Sequence, residues 1–136
     1  MDEQRPARGL LDTSVVIDLE HLDVGCLPVE SAVSAITMAE LAAGPHATAD
    51  TAERARRQDR LQRTEAAFDP LLFDIEAARA YGRIYAAVIS NGRKARGPRA
   101  VDLLIAAIAC AHNIPLYTRN PADFAGLEDV VMVVPV

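Results

Sequence analysis

A chain of 136 residues, 51% of them hydrophobic and 24% charged, is most simply one domain around a single core, and this composition excludes wholesale disorder. A net charge of −5 excludes a uniformly basic nucleic-acid coat, and the longest apolar run, residues 103–111, is too short to span a bilayer. The charged start "MDEQRPAR" lacks the apolar stretch of a signal peptide, so a cytoplasmic setting without membrane attachment is expected.

In chain order, "GLLD" reads as a first strand over about Gly9–Asp12, after a flexible N-terminus of residues 1–8. A helix follows from about Ser14 to His21. "SAVSAI" reads as strand two and "TMAELAAG" as a short helix stopped by Gly44-Pro45. Residues 48–67 form a polar, arginine-rich helical segment. A further helix starts near Ile75, with an apolar stripe of Ile75, Ala78, Tyr81, Tyr85, Val88 and Ile89, and ends at Asn91-Gly92. The helix from Arg99 to His112 is apolar nearly all round and should be central, with Cys110 a buried thiol. "IPLYT" is a strand, "NPADF" one helical turn and "DVVMVVPV" a terminal strand. Strands without alternation, separated by helices, indicate a three-layer α/β/α domain over residues 1–136 with a mostly parallel sheet of four or five strands.

Four acids stand out by position. Asp12, Glu40 and Asp123 each follow a predicted strand, at the edge where parallel sheets bind ligands. Each also has a local explanation. Asp12 suits an N-cap, Glu40 completes a capping box begun by Thr37, and Asp123 lies in a first turn entered through Asn120 and Pro121. Asp102 suits the first turn of its helix by dipole. It is nevertheless the only formally charged residue between Arg99 and Arg119, and no basic residue on its helix face is expected to pair with it. A carboxylate entering a core is costly unless paired or bound to a cation. Four such groups at one edge repel one another, and a divalent cation relieves that. Oxygen donors without paired His or Cys favour Mg²⁺ or Mn²⁺ over Zn²⁺. His21, His46 and His112 show no ligand spacing.

"LLDTSVVID", "SAITMAELAAG", "RAVDLLIAAIA" and "LYTRNPADF" resemble, in order, the four acidic motifs of PIN-domain ribonucleases, and within them the toxins of VapBC toxin–antitoxin pairs. The resemblance runs from Leu10 nearly to the end. It implies a PIN-like fold with Asp12, Glu40, Asp102 and Asp123 as the catalytic and metal-binding quartet. Ser14 takes the place of the hydroxyl that orders the first motif, and Thr118 and Asn120 flank the fourth acid as supporting residues. It further implies a metal-dependent endoribonuclease toxin that inhibits translation, neutralised by a VapB-like antitoxin. Homodimers, and heterotetramers or larger assemblies with antitoxin, are implied as well.

The chemistry expected of such a site is phosphodiester hydrolysis around one or two Mg²⁺ ions, with Mn²⁺ as an alternative. Arg93, Lys94, Arg96 and Arg99, just before Asp102, are expected to hold the RNA backbone. Two rivals stay open. A phosphoaspartyl phosphotransfer domain would need a second acid where Ser14 stands, or a lysine on a late strand, whereas Lys94 is the only lysine. A binding module of the same fold would act through the antitoxin with little hydrolysis.

Overall fold

The computed structural model describes residues 5–93 and 99–136. Four strands, β1 (Arg8–Leu11), β2 (Glu30–Ala32), β3 (Leu116–Thr118) and β4 (Val133–Pro135), form one parallel sheet in the order β2-β1-β3-β4. Five α-helices accompany them among the described residues: α1 (Thr13–Ile17), α2 (Ala35–Ala43), α3 (Thr51–Ala67), α4 (Ile75–Ser90) and α5 (Arg99–His112). The three-layer reading holds, with four strands, and its cause is visible in β1. Successive strand side chains point to opposite faces. Leu10 and its register partner Leu116 join a core with α4 and α5, while Leu11 and its partner Tyr117 join a second core with Val15, Val16, Val33 and Leu41.

Both faces of β1 are therefore covered, and the sheet has no room for error at Gly9. A Cβ there would lie 2.5 Å from Tyr117 Cε1. Before the strand, Arg5 ties the chain to the turn at Val24–Cys26 by donating to the carbonyls of Leu27 at 3.0 Å and Val24 at 3.2 Å.

Several element boundaries differ from the sequence reading. The first helix stops at Ile17 and continues only as a one-turn 3-10 helix, Leu19–His21. "SAVSAI" is split: β2 ends at Ala32, and Ser34 caps α2 by accepting from Thr37 N at 3.0 Å. Serine so placed satisfies an orphan helix donor, so the helix starts earlier than Thr37. Of the terminal apolar run only Val133–Pro135 is strand. The amides of Val130 and Val131 both donate to Leu127 O at 2.9 Å, which folds the first valines into a turn.

Of the predicted α4 stripe Val88 is buried and Tyr81 packs against the core, but the other four residues do neither. The buried residues of α4 are Ala77, Ala80, Ile84 and Val88, whereas Ile75, Ala78, Tyr85 and Ile89 face outward. The reason lies in α5, which presents Ala106, Ala107 and Ala109 to the same core. Small side chains on both helices let their backbones approach closely, and a row of bulky residues would hold them apart. α5 is as buried as expected, with Leu103 and Ile105–Ala109 inaccessible, but Cys110 is only partly buried at its edge. Asn91 and Gly92 (φ 70°) end α4 as anticipated, the amide of Arg93 reaching back to Val88 O.

Candidate active site

The sheet order places its switch point between β1 and β3, since the chain leaves β1 for β2 on one side and returns to β3 on the other. Open parallel sheets form a crevice beyond the carboxyl ends at that point. Asp12 directly follows β1 there, and Asp123 follows β3 through the one-turn 3-10 helix Pro121–Phe124. α5 runs down to β3 through a turn at Asn113 (φ 54°), so its first turn, with Asp102, starts from the same edge.

Asp12 is held in a fixed pose. It is buried, and it caps α1 by accepting from Val15 N at 3.1 Å and from Ser14 Oγ at 2.6 Å, both on Oδ1. Ser14 Oγ in turn accepts from Arg119 N at 3.0 Å. One hydroxyl thus locks the first motif to the segment after β3. Oδ2 of Asp12 accepts no hydrogen bond among the described residues.

Glu40 lies in the middle of α2 and not in a capping box, because Ser34 has taken the cap. Released from that role, its Oε1 accepts from Thr13 Oγ1 at 2.5 Å, and Thr13 also meets Thr37 Oγ1 at 3.0 Å. Sequence reasoning missed this threonine pair. The "DTS" triplet following β1 was the available signal, read only as far as its serine.

Asp102 is half-buried, and its carboxyl is pushed up to about 6. Burial is the first cause; the charges of Asp123, Asp12 and Glu40 follow, and Arg99 opposes them. The other three acids therefore lie near enough to act on Asp102 through space. No ion pair with Asp102 forms among the described residues, as expected; Arg99, one turn earlier, opposes its charge only through space, and its guanidinium donates to the backbone carbonyl of Asp123. Arg99 is thus occupied within the site instead of extending to solvent. Arg93 is exposed, and Lys94 and Arg96 lie outside the described residues. Thr118 is fully buried and accepts from Asn120 N at 3.0 Å, which shapes the turn to Asp123; Asn120 itself makes no side-chain cap bond.

The donor set is all oxygen, with carboxylates left short of hydrogen-bond donors. Among the described residues no three such groups close into a ready-made cage. Oxygen donors of this kind are those a hard divalent cation takes in preference to a soft one.

Comparison with known proteins agrees with this fold. The chain is 37% identical over 131 residues to Ribonuclease VapC5 of Mycobacterium tuberculosis, covering 94% of this chain and 93% of that protein. It is 31% identical over 132 residues to Ribonuclease VapC of Rickettsia bellii, covering 93% and 96%. The crystal structure of VapBC-5 from M. tuberculosis, a member of the VapBC family of toxin–antitoxin systems, matches with a TM-score of 0.85 at 37% identity, over 96% of this chain and 100% of that one. The PIN domain model matches residues 9–128. With the acids of β1, α2, α5 and β3 gathered at one sheet edge, the chain belongs to the PIN domain family and, within it, to the VapC group.

Proposed function

We propose that this chain is the toxin of a toxin–antitoxin pair: an endoribonuclease that hydrolyses RNA phosphodiester bonds with a divalent cation, inhibits translation in the cytoplasm, and is neutralised by a VapB-like antitoxin. The observation that carries the reading is the placement of Asp12, Glu40, Asp102 and Asp123 around the carboxyl edge of the sheet, where burial and the other three acids push the Asp102 carboxyl up to about 6. A carboxylate so placed is costly to a fold and is relieved by a cation, which would serve hydrolysis of a phosphodiester. The relatives named ribonucleases, and the VapBC complex with the same fold, support the substrate class and the partner.

In this reading Asp12 and Asp102, with Glu40 or Asp123, hold Mg²⁺, for which Mn²⁺ can substitute. When bound, the cation neutralises the scissile phosphate and lowers the pKa of a coordinated water. The chain's own residues do the positioning. Ser14 and Val15 fix Asp12 so that one oxygen is spent on the fold and the other is left for the site. Thr13 steers Glu40, and Thr118 shapes the turn that carries Asp123. Arg99 offsets part of the charge on Asp102 and anchors the Asp123 backbone. Arg93, with Lys94 and Arg96, holds RNA backbone outside the acidic centre. The homodimer implied by the resemblance belongs to the same reading, and sedimentation of the isolated chain tests it.

The experiment is cleavage of total cellular RNA by antitoxin-free protein in Mg²⁺ or Mn²⁺ and in EDTA, beside Asp102→Asn. Discrete fragments that require both metal and Asp102 are expected. A folded, metal-supplied protein that leaves every RNA intact would overturn the nuclease.

A further inference from the structure

Five arginines on α3 have no part in the reaction described, and four of them are tied down. Arg54 donates to the carbonyls of Pro45 at 3.1 Å and Thr48 at 3.0 Å. Arg56 and Arg57 share the carboxylate of Glu53, each at 2.9 Å, and Arg57 also donates to Gly44 O. Arg63 pairs with Asp59 at 2.9 Å and reaches Glu20 at 3.6 Å. Arg60 differs. Among the described residues its guanidinium makes no hydrogen bond and no ion pair; only its backbone carbonyl is engaged, by Thr64 Oγ1.

Arg60 is also partly buried, on the wall of a cleft of about 350 Å³ that includes Thr13, Glu40, Leu41 and Arg57. One end of that cleft is therefore the hydrogen-bonded Thr13–Glu40 pair of the acidic site. Ile17 and Arg60 also border a second, more apolar cleft of about 220 Å³ with Val16, Leu19 and Phe68. The guanidinium spends its donors on no protein group among the described residues and keeps them open to the cleft, and its planar fork matches phosphate.

We infer that Arg60 and the cleft beside Glu40 form a subsite for the RNA backbone, in which the guanidinium holds a phosphate flanking the scissile one and Ile17 offers apolar surface to the attached nucleoside. The inference rests on the ribonuclease reading. An RNA strand cut at the four acids must run on past them in both directions, and this cleft continues from Glu40 past Glu53, whose charge Arg56 and Arg57 neutralise, to Arg60. An acidic peptide would meet the same arginine, but nothing would require it to reach Glu40.

The test compares Arg60→Gln with Arg56→Gln, which removes equal charge from an exposed, paired arginine of the same helix. Binding of a fluorescein-labelled random-sequence RNA oligonucleotide is measured across a salt series, with KM and kcat for cleavage of total RNA. Arg60→Gln is expected to weaken binding and raise KM about tenfold, as loss of a charge-assisted bond does, with kcat unchanged. Its salt slope should fall by about 0.7, one phosphate contact fewer on a single strand. Arg60→Lys should recover part of the loss. Equal behaviour of the two glutamine variants overturns the subsite while leaving the nuclease intact. So does an Arg60→Gln protein that keeps its RNA affinity but loses affinity for the cognate antitoxin. An unsubstituted protein that neither binds nor cuts RNA overturns the nuclease reading and the subsite with it.

Discussion

Asp12 spends one of its two oxygens on structure. Oδ1 takes both the Val15 amide and the Ser14 hydroxyl, and Oδ2 is left without a donor. Asparagine can keep the cap but not the charge, so the two roles separate. Asp12→Asn should retain thermal stability and lose metal-dependent cleavage, whereas Asp12→Ala should lose cleavage and also about 1 kcal/mol of stability. Chemical denaturation beside an RNA cleavage assay checks both. Ser14→Ala should leave the fold intact yet lower activity by about 10–100-fold, the usual effect of freeing a ligand from its supporting hydrogen bond. For Asp102 the sign follows from its carboxyl titrating near 6 when folded against 3.8 when exposed. The folded state binds more protons across that window, so this contribution to metal-free stability is complete below pH 3.8 and is lost as pH rises through about 6. Asp102→Asn should therefore melt no lower than the unsubstituted protein at neutral pH without metal. A marked drop in its melting temperature would mean the carboxylate is structurally required.

At the scale of elements, the site depends on where α2 begins. With Ser34 as cap, Thr37 becomes a buried first-turn residue and Glu40 falls beside Thr13. A helix starting at Thr37 would have spent Glu40 on its own amides. The capping-box pattern was present in the sequence, but a second competent cap lay three residues upstream, and β2 ended early enough for it to win. A similar competition decided α4. Periodicity gave the helix and its end, while the choice of buried face was made by the alanines of α5. β1 is the least forgiving element, because Gly9 lies against the ring of buried Tyr117. Gly9→Ala should cost about 1–3 kcal/mol through overpacking, read from the urea midpoint. A midpoint unchanged by the added methyl would show that the ring can move aside.

For the whole molecule, net negative charge and an anionic substrate are reconciled by local arrangement: acids at the sheet edge, with basic groups on the segments around it. In the proposed site a cation would need ionised Asp102, so its stabilising effect should grow as pH rises through about 6. Thermal melts with and without Mg²⁺, well below and well above that pH, check the trend; a shift equal at both would remove Asp102 from the metal site.

The class, the order of elements and the four acids were legible in the chain itself, since alternating buried strands and amphipathic helices leave periodic marks and acids at strand ends break an apolar pattern. Asp12 stood out for that reason, and Asp102 as the one formal charge between Arg99 and Arg119. What the sequence could not decide was every choice between locally adequate alternatives: which serine or threonine caps α2, which face of α4 is buried, and whether Arg99 turns to solvent or to the Asp123 backbone. The two states differ little within a few residues of chain. Packing across the sheet, where α5 meets α4 and β1 meets β3, separates them, and only the tertiary structure contains those contacts.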